Sequence, residues 1–291
     1  MKSMTKLAAY LRPYRQGVII GPLLMLVEVV MDLLQPWLLQ NIVDLGVMKM
    51  DMAVVVHTGV LMVVLAIVGA IGGSGNTLLA VRVSMGVGAD LREELFRKVQ
   101  TLSFANLDKL GTGQLVTRLT NDVTQIQEVV LILLRIMIRL PLMLVGSLVM
   151  ATVTSPSLAV LFLVLGPVLI VTLVVVLGRA HPLFMAMQAR LDHVNTVIQE
   201  NLAGVRVVKA FVRARREEER FGDANDALMT STMDAIRLVS VILPIMVMAV
   251  NAGIVAIIWF GGRMVIHGDM EVGQILAFVN YLLQAMMALM M

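Results

Sequence analysis

The sequence predicts an all-α membrane protein in which six transmembrane helices carry long cytoplasmic helical extensions. Three observations predict it. Apolar residues make up 59% of the 291-residue chain and the mean hydropathy is +0.90, against about 45–50% apolar in ordinary soluble domains. A chain this apolar cannot hide its surface in one aqueous core. Second, two charged stretches, residues 82–128 and 179–237, lie between blocks that are almost purely apolar. Third, those blocks reach the roughly twenty residues that cross a bilayer, while the charged stretches keep a helical pattern and lack the Gly, Pro and Ser richness of loops.

Taken in order, residues 1–16 form an interfacial elbow helix. Leu7, Leu11 and Tyr14 share a face at i, i+4 and i+7, with Lys6 and Arg12 off it, which suits a helix lying flat at the membrane surface. No cleaved signal peptide is expected, because the apolar run starts only at Gly17 and lacks a small-residue cleavage site. Residues 17–291 form the transmembrane domain, with spans at about 17–39, 54–81, 129–153, 158–177, 238–260 and 272–291. The spans pair into three hairpins through outer turns at 40–53, 154–157 and 261–271, and Pro156 between hydroxyl residues marks a tight turn. Pro141, Pro167 and Pro244 predict kinks that neighbouring helices can absorb.

Lys and Arg fix the orientation. Residues 1–16 carry Lys2, Lys6, Arg12 and Arg15, and the first charged stretch carries six more cations. The second stretch carries nine, from Arg179 to Arg237. The opposite side has only Lys49 and Arg263, and Arg135 and Arg139 lie at the inner end of the third span. The positive-inside bias places the N-terminus and both charged stretches in the cytoplasm.

Those stretches read as helical rods. From Leu91 to Val99 apolar residues recur at i, i+4 and i+8, and Glu93 and Glu94 precede Arg97 and Lys98 at the supportive spacing. Each rod pair must reverse at a tip, at Gly111-Thr112-Gly113 in the first stretch and from Gly204 onward in the second. About 25–30 helical residues at 1.5 Å each reach roughly 40 Å beyond the membrane.

Candidate chemistry is sparse. Zero cysteines exclude a disulfide framework and thiolate metal sites, and His57, His181, His193 and His267 stand too far apart for a metalloprotease spacing. The net charge of +3 is modest, and nucleic acid is not expected as a partner. Glu28, Asp32 and Gln35 form one polar stripe on the first span at i, i+4 and i+7. A charge facing lipid near the bilayer centre costs about 2.5–3.5 kcal/mol on insertion scales, so the acids should face a cavity or a partner. They read either as a cation-attracting wall for an amphipathic substrate or as a structural pairing with Arg135 or Arg139. Asn251, Asn280 and Gln284 add neutral hydrogen bonds to the same substrate cavity, or bond helix to helix. The 24 methionines suit an adaptable apolar cavity.

Four segments carry a resemblance. Leu110-Gly111-Thr112-Gly113-Gln114-Leu115-Val116-Thr117-Arg118-Leu119-Thr120-Asn121-Asp122-Val123 resembles the first intracellular loop of ABC exporters. Glu200-Asn201-Leu202-Ala203-Gly204-Val205-Arg206-Val207-Val208-Lys209-Ala210-Phe211, followed by Glu217 to Phe221, resembles their second. The segment from Lys6 to Arg15, with Leu11-Arg12-Pro13-Tyr14, is similar to their elbow helix. Val272-Gly273-Gln274-Ile275-Leu276-Ala277-Phe278 is similar to the start of their sixth span. The resemblance covers essentially the whole chain in the right order. It implies the ABC transporter type 1 transmembrane fold, with two such halves per transporter, identical or different, and a nucleotide-binding domain after each sixth helix.

The resemblance further implies coupling to nucleotide-binding domains through Gly111, Thr112, Gly113, Gln114, Leu115 and Arg118 at one tip. At the other tip it implies Lys209, Ala210, Phe211 and Glu217, with Phe211 docking into the partner half's domain. It implies alternating access powered by ATP and Mg, which export a small-molecule or lipid substrate from the cytoplasm across a bacterial plasma membrane. No Gly-x-x-x-x-Gly-Lys-Ser/Thr run occurs in residues 1–291. No cofactor is therefore expected on this chain and no ATPase site in it, and the sequence reads as a transmembrane half cut short of its motor domain, the alternative being an ATPase on a separate polypeptide. An ATP-independent secondary transporter or flippase is the alternative. It would show an internal repeat and short cytoplasmic loops, against which the rods argue. A channel or membrane enzyme would want a selectivity loop or clustered catalytic groups.

Overall fold

A computed structural model describes residues 9–103, 106, 107 and 111–290. Every regular element among them is helical: α1 (Arg15–Asn41), α2 (Met52–Gln100), α3 (Thr112–Thr117), α4 (Val123–Thr154), α5 (Pro156–Ala210), α6 (Ala214–Ser240), α7 (Ile242–His267) and α8 (Val272–Met290). Six stretches are long and apolar enough to cross a bilayer: Ala9–Val47, Met52–Gln100, Thr112–Thr154, Pro156–Ala210, Ala214–His267 and Val272–Met290. Helices satisfy their own backbone groups, which is why an apolar chain of this kind resolves into them. The 49 residues of α2 extend about 74 Å, more than twice the hydrocarbon thickness.

The chain divides into two compact units, residues 1–159 with 256–291, and residues 160–255. In the first unit α1 and α2 form a hairpin, and α4 and α8 pack against it. Its core holds Val29, Leu33, Val87, Val130, Phe278, Tyr281 and Leu282. Small residues let the backbones meet. A Cβ on Gly72 would stand 3.0 Å from the Leu24 carbonyl oxygen, and one on Gly273 would stand 2.6 Å from that of Gln40. The glycine-rich run at 72–75 therefore serves helix packing. The Tyr281 hydroxyl donates to the Leu33 carbonyl at 3.1 Å, so the phenol brings its partner into the core.

In the second unit Val194, Val197 and Ala224 form the buried seam of the α5–α6 pair, with Leu228 packed on it. Arg220 reaches Glu200 across that seam, and Asn201 Nδ2 donates to Glu217 at 3.4 Å.

The turns depart from the sequence expectation in instructive ways. The helix α2 ends at Gln100, before Gly111. There Thr101 and Leu102 tighten the chain with bonds to the Lys98 and Val99 carbonyls, and the Thr101 hydroxyl adds a second bond to Lys98. In the second stretch α5 runs straight through Gly204 and reverses at Phe211-Val212-Arg213. Val212 holds φ +53°, an outlier for a β-branched residue. A glycine is tolerated inside a helix at about 1 kcal/mol relative to alanine, so Gly204 was a weak marker of a break.

The turns that join paired spans are short. Asp51 caps α2 by accepting from the Ala53 and Val54 amides. Ser155 alone separates α4 from α5, and its hydroxyl accepts from the Leu158 amide. Before α8, Gly268 takes φ +81°, and the Gln274 side chain caps the Glu271 amide at 2.9 Å.

These contacts set two substitutions against each other. Gly273→Ala forces a Cβ onto a backbone oxygen and should cost about 1–3 kcal/mol. Gly204→Ala, with nothing within 4 Å of its Cβ, should gain about 0.5–1 kcal/mol. Thermal unfolding of the purified protein in detergent should show a lower Tm for the first and a higher Tm for the second.

Candidate functional site

The polar stripe of α1 is resolved by a residue from α4. Arg139 Nη1 lies 2.9 Å from Glu28 Oε1, and Nη2 lies 3.1 Å from Asp32 Oδ2. Glu28 and Asp32 are one helical turn apart, so a single planar fork can reach both. On the other flank, a Cβ at Gly73 of α2 would stand 2.6 Å from Glu28 Oε2. The absent side chain is what admits the carboxylate between the helices.

The remaining stripe and cavity candidates separate. Gln35 turns away and donates to the Met62 carbonyl at 3.1 Å, pinning α1 to α2. Gln284 on α8 donates to the Asp32 carbonyl at 3.4 Å, which joins it to the triad. Asn280 and Asn251 each bond the carbonyl four residues earlier on their own helix, Leu276 and Val247. Asn251 belongs to the second unit. The structure thus joins Glu28 and Asp32 through Arg139 and ties Gln284 to the backbone of Asp32.

The first rod tip begins at Gly111, which holds φ +68° and caps α3. That conformation costs glycine nothing and most other residues about 1–2 kcal/mol. Thr112, Gly113 and Gln114 are exposed, Leu115 is half-buried, and Arg118 opens a π-helical stretch, Arg118–Asp122. Leu110 lies outside the described residues. At the second tip Lys209 and Ala210 end α5 and are exposed. Phe211 is 71% exposed and Val212 87% exposed. Glu217 is held back on α6 by Asn201 and by Arg220 at 3.8 Å. Two large apolar side chains bared at a polar helical reversal are out of place for a solvated loop.

Two polar contacts went unanticipated. The Tyr14 hydroxyl donates to Asp90 at 3.1 Å and the Tyr10 hydroxyl donates to Glu94. Leu11 and Tyr14 pack on the cluster Ala80, Val83, Val87, Val130 and Leu134, so this face of the N-terminal segment meets protein. Leu7 lies outside the described residues. Tyr residues four apart facing acids four apart were a readable signal for antiparallel pairing. Among the described residues no group of three or more His, Asp or Glu has the arrangement to hold a metal ion.

The family model of the ABC transporter transmembrane region matches residues 18–289. The chain belongs to this family. It is 37% identical over 278 residues to the uncharacterized ABC transporter ATP-binding protein YfiB of Bacillus subtilis, an alignment that covers 96% of this chain and 48% of that protein. It is 36% identical over 285 residues to the uncharacterized ABC transporter ATP-binding protein Rv1273c of Mycobacterium tuberculosis, covering 98% and 49%. The ATP-dependent lipid A-core flippase of Syntrophus aciditrophicus is 28% identical over 195 residues, covering 67% and 32%. The chain spans about half the length of the first two of these curated relatives.

This ABC transmembrane region is therefore a multi-pass membrane protein, and the start of α8 is tied by a further acid. Asp44, from the π-helical stretch Ile42–Val47 after α1, accepts from the Gly273 amide at 2.6 Å at the start of α8. A carboxylate at a helix N-terminus meets unpaired amides and the positive end of the helix dipole.

The triad gives a specific expectation. Arg139→Ala strands two carboxylates, of which Glu28 is only 15% exposed, and should cost about 2 kcal/mol. Adding Glu28→Gln and Asp32→Asn to Arg139→Ala should restore most of the lost Tm.

Proposed function

We propose that this chain is the transmembrane half of an ATP-driven exporter that moves a hydrophobic or amphipathic substrate, a lipid or a cationic drug, out of the cytoplasm by alternating access. The observation that carries the reading is the pair of exposed rod tips, one opened by Gly111 and one baring Phe211 and Val212. A rod tip with bare apolar side chains suits a protein partner, and relatives about twice as long as the matched region are named ATP-binding proteins. In this reading residues 111–118 and 209–217 are the coupling segments, with Phe211 seated in a nucleotide-binding domain. The N-terminus and both tips are cytoplasmic, as the excess of Lys and Arg on that side supports. The membrane is then a bacterial plasma membrane, and a second transmembrane half, identical or different, completes the transporter.

Residues 1–291 contain no phosphate-binding lysine loop, so ATP and Mg²⁺ have no fitting site among them. What these residues contribute is displacement. The tips follow their partners, the rods transmit that movement, and the spans expose the substrate site to one side or the other. Transport becomes vectorial when the substrate binds the two states with different affinity. Lipid is a natural candidate because one relative bears the name lipid A-core flippase. Glu28 and Asp32 are both engaged with Arg139, so a cation-attracting wall has only their one negative charge in excess of that guanidinium to offer.

The test uses the full-length transporter in proteoliposomes. Phe211→Ala combined with Val212→Ser should lower ATP-driven transport by about tenfold, an interface anchor's typical loss, while nucleotide binding persists. Unchanged transport in that variant would remove the coupling role of the second tip.

A further inference from the structure

A cavity of about 510 Å³ opens on the first unit beside the triad, with walls from α1, α2 and α4. Its polar lining is Glu28, Ser74, Thr77, Arg135 and Arg139. Arg139 is already committed to the two carboxylates, and two acids against one guanidinium leave one negative charge in excess. The oxygen through which Glu28 meets Arg139 is Oε1. A Cβ on Gly73, which itself lines the cavity, would stand 2.6 Å from Oε2 and 2.9 Å from Oε1, and only Oε1 is taken up by Arg139.

Arg135 sits one helical turn before Arg139 on α4. Among the described residues it makes no ion pair and no hydrogen bond. The same holds for the hydroxyls of Ser74 and Thr77. Elsewhere on these helices such hydroxyls fold onto the carbonyl four residues back, as at Ser147 and Thr154 of α4. The cavity therefore presents an open guanidinium and two open hydroxyls alongside a carboxylate with negative charge to spare. A purely cationic ligand would confront Arg135, and a purely anionic one would confront the excess charge of the triad. Intramembrane charges of both signs call for a ligand that carries both.

We propose that this cavity binds the zwitterionic headgroup of an amphiphile, an ammonium joined to a phosphoester. Arg135, Ser74 and Thr77 hold the phosphate, since guanidinium and hydroxyl donors match its oxygens. Glu28 holds the ammonium through Oε2. The lip supplies apolar surface for a hydrocarbon chain, with Leu78 72% exposed. This assignment rests on the amphipathic-substrate reading above and names the class.

The experiment is equilibrium binding to the purified full-length transporter without nucleotide. The probes are phosphatidylethanolamine, phosphatidylglycerol and a cationic dialkylammonium lipid with matched chains, together with free phosphoethanolamine. Phosphatidylethanolamine should bind about tenfold tighter than either singly charged lipid, and free phosphoethanolamine more weakly than the lipid. Arg135→Gln should abolish the preference over the cationic lipid while leaving the Tm unchanged. Ser74→Ala with Thr77→Val, which alters no charge, should weaken phosphatidylethanolamine severalfold. Equal binding of the three lipids, or an Arg135→Gln profile like that of the parent, would overturn the proposal. Free phosphoethanolamine binding as tightly as the lipid would overturn the amphiphile as its source. Because no transport is measured, such results leave the export reading standing. Loss of ATP-driven transport with this binding intact would bear on the export reading alone.

Discussion

An ionised side chain inside hydrocarbon must bring its partner with it, and Arg139 is that partner for two carboxylates at once. The consequence reaches through the first unit. Glu28 and Asp32 can share one guanidinium only if α4 lies alongside α1 at the depth of the stripe. Glu28 can lie between the helices only because Gly73 on α2 leaves room. Gln284 on α8 adds a bond to the Asp32 carbonyl, so the fourth helix is drawn to the same point. One charge cluster thus specifies which faces of four helices meet, where apolar packing alone would tolerate many rotations.

Around that cluster the packing follows from size. The bonds of Gln35 to Met62 and of Tyr281 to Leu33 hold α1 on two further sides. Each satisfies a polar side chain by using a carbonyl with a spare lone pair, so specificity is gained without leaving a donor bare. Asp44 works in the opposite sense, its carboxylate accepting from the Gly273 amide where α8 begins with amides that lack helical partners.

The six apolar segments and the helical rods were legible in the sequence because each depends on local composition and period. The stripe of Glu28, Asp32 and Gln35 was also legible, since 3.6 residues per turn places them together. Arg139 was visible only as one of two candidate partners, because it lies 107 positions from Asp32 and nothing local orients it. The reversal at Phe211-Val212-Arg213 was not legible. It contains neither Gly nor Pro, and it places a β-branched residue at positive φ, which no propensity rule favours. Gly204 drew attention instead, although a helix simply runs through it. Asn251 and Asn280 drew attention because polarity in an apolar span is conspicuous, and in the structure each amide donates to a carbonyl of its own helix.

The same logic explains how α2 and α4 can act as one body along their charged length. The Ser84 hydroxyl donates to the Gln127 carbonyl at 2.6 Å in the buried seam. Further toward the tip, Arg92 donates to the Leu119 carbonyl and reaches Thr124 and Gln127. A π-helical stretch loosens the regular bonding, and the carbonyl of Leu119 lies in such a stretch, Arg118–Asp122. On the far flank Tyr10 and Tyr14 join the N-terminal segment to Glu94 and Asp90. These bonds cross between elements rather than along them, so bending one helix alone would break several at once. A displacement imposed near residues 111–118 therefore moves the pair together. The same helix α4 continues to Arg139, which meets the acids of α1, so the cross-linked pair and the charge cluster share one continuous element.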